Sequence, residues 1–131
     1  MADTGGQRQD LPLNDDTRRI IGAFYHVYDT LGYGLLETVY RNSLAITLRK
    51  YGFVVTSEAP VDAWFEGERV GVFRADLIVD GAIVLELKVA SSIHPIHEVQ
   101  LVNYLKASGL QLGFVFNFGP KPTFKRRVFT R

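Results

Sequence analysis

Val70-Gly71-Val72-Phe73-Arg74-Ala75-Asp76-Leu77-Ile78-Val79-Asp80-Gly81-Ala82-Ile83-Val84-Leu85-Glu86-Leu87-Lys88-Val89 decides how this chain is read. Residues 70–79 and 82–89 are strand-like runs, and Asp80-Gly81 between them marks a reversal. Side chains two apart on a strand share a face, so Glu86 and Lys88 point one way while Leu85, Leu87 and Val89 point the other. Charged residues are scarce in strand interiors, so these two ask for a reason.

Loop length decides whether Asp76 joins them. A two-residue loop of Asp80 and Gly81 pairs Val79 with Ala82 and sets Asp76 opposite Leu85, on the wrong face. A three-residue loop, Val79-Asp80-Gly81 as a type I turn closed by a left-handed Gly81 bulge, pairs Ile78 with Ala82. It brings Asp76 onto the face of Val84, Glu86 and Lys88, and it is the expected form. Two carboxylates within about 5 Å repel by roughly 3 kcal/mol at an effective dielectric of about 20. Lys88 offsets part of that, and a hard cation such as magnesium, which takes carboxylate oxygens and keeps several waters, offsets the rest. The alternative joins Asp76 and Lys88 as an ion pair between strands and leaves Glu86 solvated.

The 131 residues suffice for one domain with a core of its own. The expected division is a disordered segment over residues 1–13, polar and without period, followed by a single domain over 14–131. With no cysteine, disulfides and thiolate zinc sites are excluded. No long apolar run and no signal-peptide core is present, so a cytoplasmic protein with no membrane association is expected. Fifteen basic against fourteen acidic residues give a net charge of +1, which excludes nucleic-acid binding by bulk charge alone. The stretch from Lys121 to the C-terminus, however, holds Lys121, Lys125, Arg126, Arg127 and Arg131 and no acid. A basic closing strand would suit phosphates, and equally a solvated edge strand protected by its charges.

Helical spacing of Ile20, Ile21, Phe24, Val27, Tyr28 and Leu31 predicts a helix from an Asn14 cap to about Leu31, with Asp15 and Asp16 in its first turn. A second helix is expected over Leu35 to Tyr51, with Leu36, Val39, Tyr40, Leu44 and Leu48 toward the core and Gly52 ending it. Strands follow at Phe53 to Thr56 and Val61 to Phe65, then a turn at Glu66-Gly67-Glu68 and the two motif strands. His94 to Gly109 opens with proline and closes with glycine, the order of a helix. Leu112 to Phe118 and Phe124 to Phe129 supply two last strands. The fold class is α/β, a mixed sheet flanked by helices.

Gly34-Leu35-Leu36-Glu37-Thr38-Val39-Tyr40 matches the pattern that names the GxxExxY proteins, and the chain resembles that family, a branch of the PD-(D/E)XK nuclease superfamily. The likeness extends in order through Leu31-Gly32-Tyr33-Gly34, Ala75-Asp76-Leu77, Val84-Leu85-Glu86-Leu87-Lys88, the run His97 to Ala107 and Asn117-Phe118-Gly119, roughly residues 17 to 128. It implies a restriction-endonuclease-like core, α-βββ-α-β. It also implies catalytic positions at Glu37, Asp76, Glu86, Lys88 and Gln100, none of them substituted. Beside that resemblance, Asp76, Glu86 and the Leu87 carbonyl would hold magnesium or manganese, with Glu37 reaching in directly or through water. Lys88 would orient the attacking water or stabilise the transition state. His97, Gln100 and Tyr104 would form a stripe facing a nucleotide.

Other residues take plainer readings. Gly34 permits a tight join and Tyr40 packs beneath Glu37. His94 and His97 make a poor zinc pair without a third ligand. His26 is a core-edge residue, Arg74 an ion-pair partner of Asp76, and Trp64, Phe65 and Tyr51 belong to the core. The implied function is metal-dependent hydrolysis of phosphodiester bonds in DNA, with RNA as the other substrate, in DNA processing, repair or defence. A homodimer would lengthen a groove too short for duplex. The rival expectation is a catalytically silent nuclease-fold module that binds nucleic acid or a protein partner.

Overall fold

The computed structural model describes residues 14–130; the expected disorder of residues 1–13 lies outside the described residues. Helices α1 (Asn14–Leu31) and α2 (Glu37–Lys50) come first. A meander follows of β1 (Val55–Phe65), β2 (Glu68–Val79) and β3 (Ile83–Lys88). Helix α3 (Pro95–Ser108) then crosses over to β4 (Leu112–Phe118) and β5 (Pro122–Val128). The strands lie in chain order; β3 and β4 are parallel and the other pairs antiparallel. This is the α/β restriction-endonuclease-like architecture expected from the sequence.

Burial sorts the faces. Ile20, Ala23, Phe24 and Val27 of α1 and Tyr40, Leu44, Ala45 and Leu48 of α2 pack on Leu77, Val79, Ile83, Leu85, Leu87, Phe114, Phe116 and Phe118. Leu101, Tyr104 and Leu105 of α3 cover Ile78, Val84 and Val115 on the other face. Phe116 stacks on Phe24 at 4.5 Å and Phe118 on Tyr40 at 4.4 Å, so aromatic rings join β4 to both N-terminal helices. Odd-numbered residues of β3 therefore face α1 and α2, which leaves Glu86 and Lys88 on the α3 side.

Several expectations are corrected. Residues 53–56 and 61–65 do not form two strands: β1 runs unbroken from Val55 through Pro60, which the sheet tolerates because β1 is an edge strand. Leu36 and Val39 are exposed at 76 % and 40 %, because α2 turns Tyr40, Leu44 and Leu48 inward and leaves its first turn at the surface. Trp64 and Phe65, at the β1–β2 turn beyond the reach of α3, are exposed at 63 % and 62 %.

Candidate active site

The hairpin that carries the motif has a three-residue connection, one position later than expected. Val79 pairs with Ile83, leaving Asp80, Gly81 and Ala82 as the loop. Asp80 and Gly81 both have positive φ, 53° and 65°. Asp80 is held there by Val54, just before β1: its N–H donates to the Val54 carbonyl at 2.7 Å and its Oδ1 accepts the Val54 N–H at 2.8 Å. The expected type I turn with only Gly81 left-handed is thus replaced by two left-handed residues. The parity survives, because a shift that preserves an odd-length loop keeps Asp76 on the face of Glu86 and Lys88.

Asp76 sits where the ladder opens. Pairing of β2 with β3 stops at Leu77 and Leu85, and Asp76 Oδ2 accepts the Leu87 N–H at 2.7 Å. On the other side, pairing of β1 with β2 skips Glu58 opposite Asp76, and Glu58 has a φ of 51°. Leu77 packs beneath α1 and α2, yet Ala75, two residues away, packs with Ala59 on the α3 side. The hairpin therefore turns over at Glu58 and Asp76, and a left-handed glutamate costs on the order of 1 kcal/mol or more.

Glu86 is half-buried beside this opening. Its carboxyl is pushed up to about 8, first by burial, then by the charge of Asp76, against the pull of Lys88. A side-chain hydrogen bond with Asp76 and the charge of Glu37 raise it further. Glu37, first residue of α2 and exposed, is also raised: partial burial of its carboxyl leads, Asp76 follows, and Lys88 and Arg41 oppose. The charges of Glu37, Asp76, Glu86 and Lys88 thus act on one another; the parity of the strands sets Asp76, Glu86 and Lys88 on one face, and the start of α2 brings in Glu37. Among the described residues no group of three acidic or histidine side chains is arranged to hold a metal ion; the acidic pair joined by a side-chain hydrogen bond is Asp76 and Glu86.

Glu37 is delivered by a fixed loop. The Tyr40 hydroxyl donates to the Gly32 carbonyl and accepts the Leu35 N–H at 3.2 Å, clamping the turn between α1 and α2. Gly34 has a φ of 107°, a conformation in which a side chain would be strained. The glycine, glutamate and tyrosine at 34, 37 and 40 are one device: a kinked loop, the acid it presents, and the buried ring that holds it.

A cavity of about 260 Å³ lies between the hairpin and α3, lined by Phe73, Arg74, Glu86, Gln100, Asn103 and Tyr104. Gln100 is exposed and shares that cavity with Glu86. Tyr104 leaves the expected stripe: it is 2 % exposed and its hydroxyl donates to the Ala59 carbonyl at 3.1 Å. Burial, then Glu86, raises its phenol to about 12. His97 leaves it as well, since His94 Nδ1 accepts the Ile96 N–H at 3.0 Å and His97 Nδ1 accepts the His94 N–H at 3.2 Å. The two histidines cap α3. His97 is lowered by burial, then by the charges of Lys88 and His94.

Arg74 donates to the Glu58 carbonyl at 3.5 Å, and among the described residues no ion pair joins Asp76 to Arg74 or Lys88. Arg41 was not singled out from sequence: it contacts Glu58 at 3.6 Å and pulls on Glu37. Its place one turn after Glu37 was the available signal. His26 is exposed and lines a separate cavity with Thr30 and Ser43.

A family model described as the PD-(D/E)XK nuclease superfamily matches residues 14–128. The crystal structure of SSO0001 is similar with a TM-score of 0.56 at 18 % identity, over 94 % of this chain. The match spans 62 % of that protein's chain. An alkaline exonuclease from Laribacter hongkongensis aligns at a TM-score of 0.49 and 14 % identity, over 66 % of this chain and 52 % of its own. Comparison with curated proteins finds no match. No helix among the described residues is long and apolar enough to cross a membrane.

Proposed function

The chain belongs to the PD-(D/E)XK nuclease superfamily, and from that premise we propose that it hydrolyses phosphodiester bonds in nucleic acid, DNA first, with a divalent cation at Asp76 and Glu86. Within the superfamily we read Gly34, Glu37 and Tyr40 as the mark of the GxxExxY branch. The observation that carries the reading is the pair itself: a half-buried glutamate raised to about 8 by burial and by the aspartate beside it. Such a pair stays fully ionised only when a cation compensates it.

Asp76, Glu86 and the Leu87 carbonyl would hold magnesium or manganese, with Glu37 contributing at the margin. The bound ion supplies an acidified water and positive charge on the attacked phosphate. Asp76 is oriented for this by the Leu87 N–H. Lys88, on the same face, would orient the attacking water and stabilise negative charge on the phosphate. Gln100 would position a phosphate or sugar across the cavity it shares with Glu86, and Arg74 would neutralise the phosphate entering that cavity. A homodimer and a cytoplasmic site of action remain part of this reading.

A screen of single-stranded, duplex and branched DNA, and of RNA, with magnesium or manganese tests it. Cleavage that disappears in Asp76→Asn and Glu86→Gln is the expected result. Binding without cleavage under every metal would make the chain a silent nuclease-fold module.

A further inference from the structure

We propose that a nucleic-acid strand leaves the site along a groove of about 730 Å³ at the carboxyl ends of β3 and β4, where Lys121 and Lys125 bind its phosphates. The inference rests on the reading of the Asp76–Glu86 site as one that engages nucleic acid, and it adds the path of the strand beyond that site.

Sheet register connects the two places. Glu86, Val115 and Lys125 form one row across β3, β4 and β5, and Lys88, Asn117 and Thr123 form the next. Neighbours in a row point to the same face, so Lys125 lies on the face that carries Glu86, two strand spacings or about 10 Å away. Val115 between them is buried under α3, so the path runs round the carboxyl ends of the strands, past Lys88 and Ser91, and not over the row. Lys121 stands just before β5, and Ser91 and Ser92 face it from the segment after β3. Two cations on one wall and two hydroxyls on the other match successive phosphates of a strand whose cleaved bond lies at Glu86. Tyr25, 37 % exposed and set edge-on to Phe124 at 6.4 Å, offers an aromatic face on which a base can stack.

The groove is built rather than incidental. Asn117 is fully buried; its Oδ1 accepts the Ala90 N–H at 2.9 Å and its Nδ2 donates to the Ala90 carbonyl at 3.0 Å. A Cβ at Gly119 would lie 2.1 Å from the Ala90 carbonyl oxygen, so only glycine lets the two segments meet. The Tyr28 hydroxyl meets the Gly119 and Pro120 carbonyls at 2.7 and 2.9 Å. Side-chain hydrogen bonds to the backbone thus fix both walls, Ser91–Ser92 on one side and Pro120–Lys121 on the other. Hydrolysis at Asp76 and Glu86 makes no direct use of them.

The test is fluorescence anisotropy of a short labelled single-stranded DNA, and of the RNA of the same sequence, with EDTA present so that no cleavage occurs. Lys121→Gln with Lys125→Gln is compared with wild type across a salt series, and both are screened for cleavage with magnesium. The double variant is expected to bind about tenfold more weakly at low salt, with the slope of log affinity against log salt reduced by about 1.4. Preference for one strand over the other separates a DNA path from an RNA path. Equal affinity and slope in the two proteins would overturn the groove, and if wild type still cleaves, the catalytic reading survives that loss. Groove-dependent binding without cleavage under any metal would instead retain the groove and remove the nuclease. Absence of binding by wild type would overturn the groove, and only absence of cleavage under every metal as well would remove the nuclease.

Discussion

The carboxylate of Asp76 accepts the Leu87 N–H at 2.7 Å, where pairing of β2 with β3 has just ended. The aspartate replaces a rung of the ladder, so structure and chemistry compete for the same oxygens. Asp76→Asn keeps an acceptor and removes the charge, whereas Asp76→Ala removes both. Urea denaturation should show a loss of about 1–3 kcal/mol for alanine and clearly less for asparagine, while both abolish cleavage. Equal destabilisation by the two would show that the hydrogen bond does not hold the hairpin end.

Glu86 makes the metal-free protein sensitive to pH. Its folded value is about 8 against an ordinary 4.5, so the stability it contributes is complete below about 4.5 and is lost as pH rises through 8. The slope across that window is at most about 1.4 kcal/mol per pH unit, and solvent at the half-buried carboxyl reduces it. Melting temperature in EDTA should fall from pH 5 to pH 9 (about 4 units), with Glu86→Gln flattening the curve. A wild-type curve parallel to that of Glu86→Gln would remove the assignment.

The Tyr40 hydroxyl bonds Gly32 and Leu35 beneath the loop that presents Glu37. Tyr40→Phe keeps the ring stacked on Phe118 but strands a carbonyl and an N–H, at a cost of about 1–3 kcal/mol. Turnover should fall by more than Tm alone explains, since Glu37 follows that loop. A variant with unchanged stability would show the clamp to be dispensable.

Gln100 is exposed and shares a cavity with Glu86. Gln100→Ala should leave the melting temperature unchanged and raise KM or lower kcat for an oligonucleotide several-fold. Wild-type kinetics would exclude Gln100 from substrate contact.

Much of this geometry was legible in residues 70–89. Alternation across Leu85, Glu86, Leu87 and Lys88 set their faces, and an odd-length loop set that of Asp76, even though the loop itself fell one residue later. The shift came from Val54, a long-range partner of Asp80 that local turn chemistry does not reveal. The exposure of Trp64, Phe65, Leu36 and Val39 was not legible, because apolar character does not say where the covering helices end. Tyr104 and His97 left the expected stripe for the same kind of reason. Helical spacing gives the side of α3 they occupy, while the Ala59 carbonyl and the open first turn of α3 decide what they bond.

The most direct measurement is a magnesium and manganese titration of wild type, followed by calorimetry at pH 7 and pH 8 (about one unit apart). The pair should bind the ion more tightly at the higher pH, because Glu86 must lose its proton to bind, and Asp76→Asn and Glu86→Gln should lose both the heat and the rise in Tm. A response to millimolar metal that persists unchanged in both variants, or no response in wild type, would contradict the account.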